Sequence, residues 1–103
     1  MGSGKQLDSA LERWGFMTFA HRIKHARMNL RLTQIEMNQK LGYKNNQFLQ
    51  AWEAGRSMPP IRVLSTLSKV YVIPYHELVS LYVDEKLRQY REKLMEGLSH
   101  YDN

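Results

Sequence analysis

Asn46, Gln47 and Gln50 place three carboxamides within five residues, beside the small Ala51. A carboxamide donates and accepts hydrogen bonds at once, so it can pair with N6 and N7 of an adenine through two bonds. Each such pair discriminates against a wrong base by about 1–3 kcal/mol. Ala51 is small enough to let a helix approach a groove, or to touch a thymine methyl. This chemistry requires the amides to share a helix whose other side is held, and Phe48, Leu49 and Trp52 supply apolar residues expected to point inward. A solvated polar face is the rival reading of any surface helix. Amides in place of the usual Glu and Lys favour base reading here.

Other chemistry is poorly represented. His21 and His25 stand four apart, a spacing that can chelate a metal on a helix. No Glu follows His21 as a metalloprotease pattern requires, and Arg22 and Lys24 would repel a cation. Exposed histidines, partly facing phosphates, are the expected outcome. His76 and His100 are isolated, and no Gly-rich phosphate loop, carboxylate cluster or activated serine is visible. The chain has no cysteine, which removes disulfides, thiolate zinc sites and thiol nucleophiles together. We therefore expect no metal, no cofactor and no enzymatic activity.

The elements that must position the amides are helical. Ser9, with Glu12 three residues on, can begin a short helix that Gly15 ends. Thr18 can cap a second helix with Phe19, Ile23 and Ala26 on one face. Thr33 and Glu36 form a capping box opening a third, in which Ile35, Met37 and Leu41 supply apolar contacts. Gly42 suits a left-handed helix end, and a turn of about three residues leads to the amide-bearing helix, 46–54. Gly55 stops it and Pro59-Pro60 forbid its resumption. The next helix, with Leu64 and Leu67, runs to about Tyr71, where Tyr71-Val72-Ile73 reads as a possible short strand. Pro74 opens a final helical stretch.

Of 103 residues, 43% are hydrophobic, enough for a core, and no apolar run reaches the roughly 20 residues of a membrane span. No signal-peptide pattern opens the chain, so a cytoplasmic address and no membrane partner are expected; Met1 to Gly4 reads as a flexible leader. The net charge is +5. Between Thr18 and Val70, nine basic residues face only Glu36 and Glu53, whereas four basic and six acidic residues follow from Tyr71 to Asn103. A basic domain with a mildly acidic tail suits a polyanion binder with an interaction arm.

Phe19 to Leu81 resembles the phage repressor and Cro class, or XRE-type helix-turn-helix family, in a variant with a longer turn. The likeness rests on Ile23-Lys24, Arg27, Leu32-Thr33-Gln34, Leu41-Gly42, Leu49, Trp52-Glu53, Gly55, Pro59-Pro60 and the Leu64/Leu67 pair, in order. Gly42 to Trp52 is one residue longer than the commonest spacing, and Asn38 stands where a small Ala is usual. The resemblance implies an all-α, five-helix repressor-like domain over residues 18–81, between an N-terminal leader and short helix (1–17) and a C-terminal helical arm (82–103). It implies that Asn46, Gln47, Gln50 and Ala51 read bases. It further implies that Gln34, Lys44, Asn45, Arg56 and Arg62 hold phosphates, and that Arg27 and Glu53 form an internal ion pair. Trp52 would be core.

In the arm, Val83, Leu87, Tyr90, Leu94 and Tyr101 lie at spacings of 4, 3, 4 and 7, a short coiled-coil seam flanked by charges of both signs. The same stripe could instead pack back on its own domain. Self-association is favoured, because a solitary arm would expose Leu87 and Leu94. Leu7, Leu11 and Trp14 could join that interface or patch the core. The expected function is a sequence-specific regulator of transcription, a repressor in most of the family, binding a palindromic operator in double-stranded DNA as a homodimer. The alternative is an antitoxin or other protein-interaction module, whose arm masks a protein partner while the helix-turn-helix autoregulates.

Overall fold

A computed structural model describes residues 17–101. Among these residues five α-helices follow one another: α1 (Phe19–Asn29), α2 (Gln34–Leu41), α3 (Gln47–Glu53), α4 (Leu64–Tyr71) and α5 (Tyr75–Tyr101). A 3-10 turn, Ile61–Val63, runs directly into α4. No strand occurs among the described residues. The helix expected from Ser9 to Gly15, with the contacts proposed for Leu7, Leu11 and Trp14, lies outside them.

The helix ends are fixed by local chemistry. The His21 N–H donates to Thr18 Oγ1 at 3.1 Å, starting α1. At α2 the capping box is complete: the Glu36 N–H donates to Thr33 Oγ1 at 3.0 Å, and the Thr33 N–H to Glu36 Oε1 at 3.1 Å. Each end thereby satisfies donors that the first helical turn cannot. Gly42 closes α2 at φ +83°, a left-handed conformation that glycine adopts without a Cβ penalty, and so turns the chain toward α3.

Helix α1 is central and packs against α3, α4 and α5. Its Phe19, Ile23 and Ala26 meet Leu49 and Trp52 of α3, Leu64 and Leu67 of α4 and Leu78 of α5 in one buried cluster. A fully buried side chain of this kind contributes about 1.5–3 kcal/mol. An ion pair between Arg22 Nη2 and Glu77 Oε2 at 3.0 Å further ties α1 to the first turn of α5. In α2, Met37 is buried and Leu41 packs against the core, but Ile35, expected to join them, is 60% exposed. It lies two residues before Met37, on the other side of a 3.6-residue turn.

The segment Tyr71-Val72-Ile73 is not a strand. Tyr71 ends α4, and Val72 takes a left-handed conformation (φ 54°, ψ 46°) that reverses the chain. The reversal places Ile73 in the core at 2% exposure, where its N–H donates to Ser68 O at 3.0 Å and its carbonyl accepts from Ser68 Oγ at 2.6 Å. Burying Ile73 outweighs the β preference of the tripeptide.

Helix α5 is unbroken across the expected boundary between domain and arm. Its root is clamped by Tyr82, whose hydroxyl donates to Pro59 O at 2.9 Å and whose ring meets Phe19 edge-on at 5.6 Å. The packed side therefore continues past Leu81, through Tyr82 to Glu85, whose side chain is only 11% exposed.

Candidate nucleic-acid interface

Helices α2 and α3 are joined by Gly42 and a turn from Tyr43 to Asn46. Asn45 Oδ1 accepts the Gln47 N–H at 3.0 Å and so shapes the first turn of α3, which begins at Gln47; Asn46 occupies the capping position. Leu49, Trp52 and Glu53 are buried, which fixes one side of α3 on the protein. Gln47 and Gln50 are exposed, Ala51 and Asn46 half-buried. No other described residue engages the side-chain amides of Gln47 or Gln50, so both keep their full bonding capacity for a ligand.

The far end of α3 is anchored by charge. Glu53 accepts Arg27 Nε at 2.7 Å, Arg27 Nη2 at 3.0 Å and Gln34 Nε2 at 3.1 Å. Arg27 Nη1 also donates to Leu32 O at 2.7 Å. The ends of α1 and α3 and the start of α2 thus meet at one carboxylate, and Arg27 ties in the connector through Leu32. The Glu53 bonds raise the Arg27 pKa above its ordinary value, keeping the guanidinium charged against a smaller opposing effect of burial. Gln34 spends one N–H on this anchor; its second N–H and its carbonyl remain.

A helix-turn-helix family model matches residues 23–78, from the middle of α1 to Leu78 of α5. The chain belongs to the XRE-type helix-turn-helix family. The chain is also similar to the cryptic phage CTXphi transcriptional repressor RstR of Vibrio cholerae, at 32% identity over 83 residues, 78% of this chain and 73% of that protein. No solved structure matches it significantly. This XRE-type protein is a DNA-binding transcriptional regulator.

In this helix-turn-helix, Lys44, Asn45 and Asn46 line a cleft of about 210 Å3 with Ile35, Asn38, Gln39 and Tyr43. Arg56, just past Gly55, and Arg62, in the 3-10 turn, are exposed and lie in the segment leading from α3 to α4. His21 and His25 are exposed on α1, with His25 Nδ1 3.3 Å from Asn29 Nδ2. No group of residues able to hold a metal ion is found among the described residues. No helix among them is long and apolar enough to cross a membrane.

One residue of the XRE-type motif departs from the sequence reading. Phe48, expected to point inward with Leu49 and Trp52, is 50% exposed. Its ring rests on Tyr43 of the turn, with centroids 5.0 Å apart, rather than entering the core. Periodicity could have found this, since Phe48 lies about 100° from Gln47 and falls at the edge of the buried sector. Asn38 of α2 is 2% exposed, and among the described residues neither its Nδ2 nor its Oδ1 meets a hydrogen-bond partner.

Along α5, Leu78, Tyr82, Glu85 and Gln89 fall on the docked side, whereas Val83, Leu87, Tyr90 and Leu94 fall roughly opposite at about 100° per residue. All four residues of that second stripe are 45% exposed or more, and Met95 and Leu98 extend the exposed apolar surface. The stripe does not pack back on its own domain. Tyr101 ends α5, and its side chain lies outside those described.

Proposed function

We propose that this regulator is a sequence-specific repressor that binds a palindromic operator as a homodimer, inserting α3 into the major groove. The observation that carries the reading is the division of α3 itself. Leu49, Trp52 and Glu53 hold one side on the protein, while the other presents the unengaged Gln47 and Gln50 amides beside Ala51. A helix so mounted can bring those amides to base edges. In this reading Asn46, Gln47, Gln50 and Ala51 contact bases. Gln34, Lys44, Asn45, Arg56 and Arg62 contact phosphates, Arg27 and Glu53 brace the frame, and repression follows from occupying the operator.

The dimer is supported by the exposed stripe Val83, Leu87, Tyr90 and Leu94, at coiled-coil spacing on the free side of α5. Two copies joined there would offer two α3 helices to half-sites about 34 Å apart, one turn of DNA.

Selection of bound sequences from random duplexes tests the reading. The expected product is an inverted repeat with half-site centres one helical turn apart. With that operator, Gln47→Ala should relax preference at one position. Arg62→Ala should weaken binding to all sequences and reduce the salt slope by about 1. A pool that shows no enriched sequence would overturn the proposal.

A further inference from the structure

Phe48 stands on the flank of α3, between the exposed amides and the buried side, and half of its surface faces solvent. A lone exposed apolar residue is ordinary on a protein surface. This one differs in being braced. Its ring rests on Tyr43 at 5.0 Å with a 40° tilt, and Tyr43 in turn meets Trp52 edge-on at 5.9 Å. Trp52 is 2% exposed, so a chain of three rings leads from the core to the surface and fixes Phe48 against its own helix.

A phenyl ring held beside base-reading amides has no hydrogen bonds to offer. The apolar feature that the major groove displays is the C5-methyl group of thymine. We propose that Phe48 is a specificity-determining residue that selects thymine by packing against that methyl, with Tyr43 as its positioning residue. The inference rests on the reading that α3 enters the major groove, and adds to the amide contacts a readout of different chemistry.

The test uses the full chain and the duplex enriched from random sequence, with each thymine replaced in turn by deoxyuridine, which lacks only the methyl. At one or two positions per half-site the wild-type protein should bind the uracil duplex more weakly, by about fourfold per methyl lost. Phe48→Ala should bind thymine and uracil duplexes equally at those positions, yet still prefer the enriched duplex over a scrambled one through its amides. Phe48→Leu should keep part of the discrimination. Tyr43→Ala should reduce it with Phe48 still present.

Equal binding of thymine and uracil at every position by the wild type would overturn the proposal. Full discrimination retained by Phe48→Ala would also overturn it, and would pass the methyl contact to Ala51. Either result leaves the major-groove reading intact as long as one sequence is enriched. If none is enriched, both readings fall. Helix content and melting temperature of each variant, measured alongside, separate loss of contact from loss of fold.

Discussion

The guanidinium of Arg27 lies across the carboxylate of Glu53, Nε to Oε2 at 2.7 Å and Nη2 to Oε1 at 3.0 Å, and the side chains are only 12% and 3% exposed. The pair is nearly dry, so losing one partner strands the other charge. Arg27→Ala or Glu53→Ala should each cost about 3–5 kcal/mol of folding stability. The double replacement Arg27→Met with Glu53→Leu should recover most of that loss. Denaturant melts of the three variants check this, and a double variant as unstable as the singles would contradict it.

Asn38 presents the opposite case, a buried amide with neither atom bonded among the described residues. Leaving such a group unsatisfied costs about 1–3 kcal/mol. Asn38→Ala should therefore raise stability by about 1 kcal/mol after the lost packing is set against the relief. Unfolding midpoints in urea measure the change, and a destabilised variant would show that the side chain's packing matters more than its lost hydrogen bonds.

Val72 is a β-branched residue held at φ 54°, and its side chain is 78% exposed. Residues in such sparsely populated conformations cost about 1–3 kcal/mol each. Val72→Gly gives up almost no burial and relieves the strain, against the greater flexibility of glycine when unfolded. A net gain of about 1 kcal/mol is expected, raising the melting temperature by about 4–8 °C in a domain of this size. DNA affinity should not change.

The capping box gives a pH signature. The Thr33 backbone N–H bonds the Glu36 carboxylate and holds its pKa below the ordinary 4.5. A carboxyl whose folded value is depressed adds stability above its unfolded value and loses it as pH falls through the folded one. Glu36→Gln keeps an acceptor without the charge. The wild type should therefore melt higher than the variant near neutral pH, and the gap should close as pH falls below about 4.5. Thermal melts across that range read the difference, and a constant gap would refute the assignment.

Leu87, 61% exposed, lies midway along the free stripe of α5. Leu87→Arg should abolish the proposed dimer while leaving each chain folded, as sedimentation and helix content would report, and should remove any dependence of melting on protein concentration. The expected mass is that of one chain. A variant that keeps a dimer mass would move the interface elsewhere.

Much of this architecture is legible in sequence because the signals are local. Thr18, the Thr33/Glu36 box and Gly42 each act on a backbone group within four residues, so their residue types announce helix ends without reference to the rest of the chain. The alternation along α3 also revealed Leu49 and Trp52 as core. What escaped depends on distant partners. Phe48 is the exception, since periodicity places it at the edge of the buried sector; only its contact with Tyr43 was hidden. Val72 adopts its turn because Ile73 must reach the core and Ser68 grips it there, a tertiary demand that overrides the β preference of three residues. Glu77, read only as one of the tail's acids, pairs with Arg22 of α1 across 55 residues of chain.

The unbroken course of α5 has a mechanical consequence. From Tyr82, bolted to Phe19 and Pro59, to the last turn near Tyr101 the helix offers no hinge, and Gly97 interrupts neither its course nor its hydrogen bonding. Over about 28 Å it acts as a stiff lever rather than a tether. In the proposed dimer, a grip on its distal end would hold the two α3 heads at a set pitch, like the jaws of a caliper. A rigid gauge of this kind would tolerate few insertions between the proposed half-sites, because an added base pair both lengthens the gap and rotates one groove away from its reader.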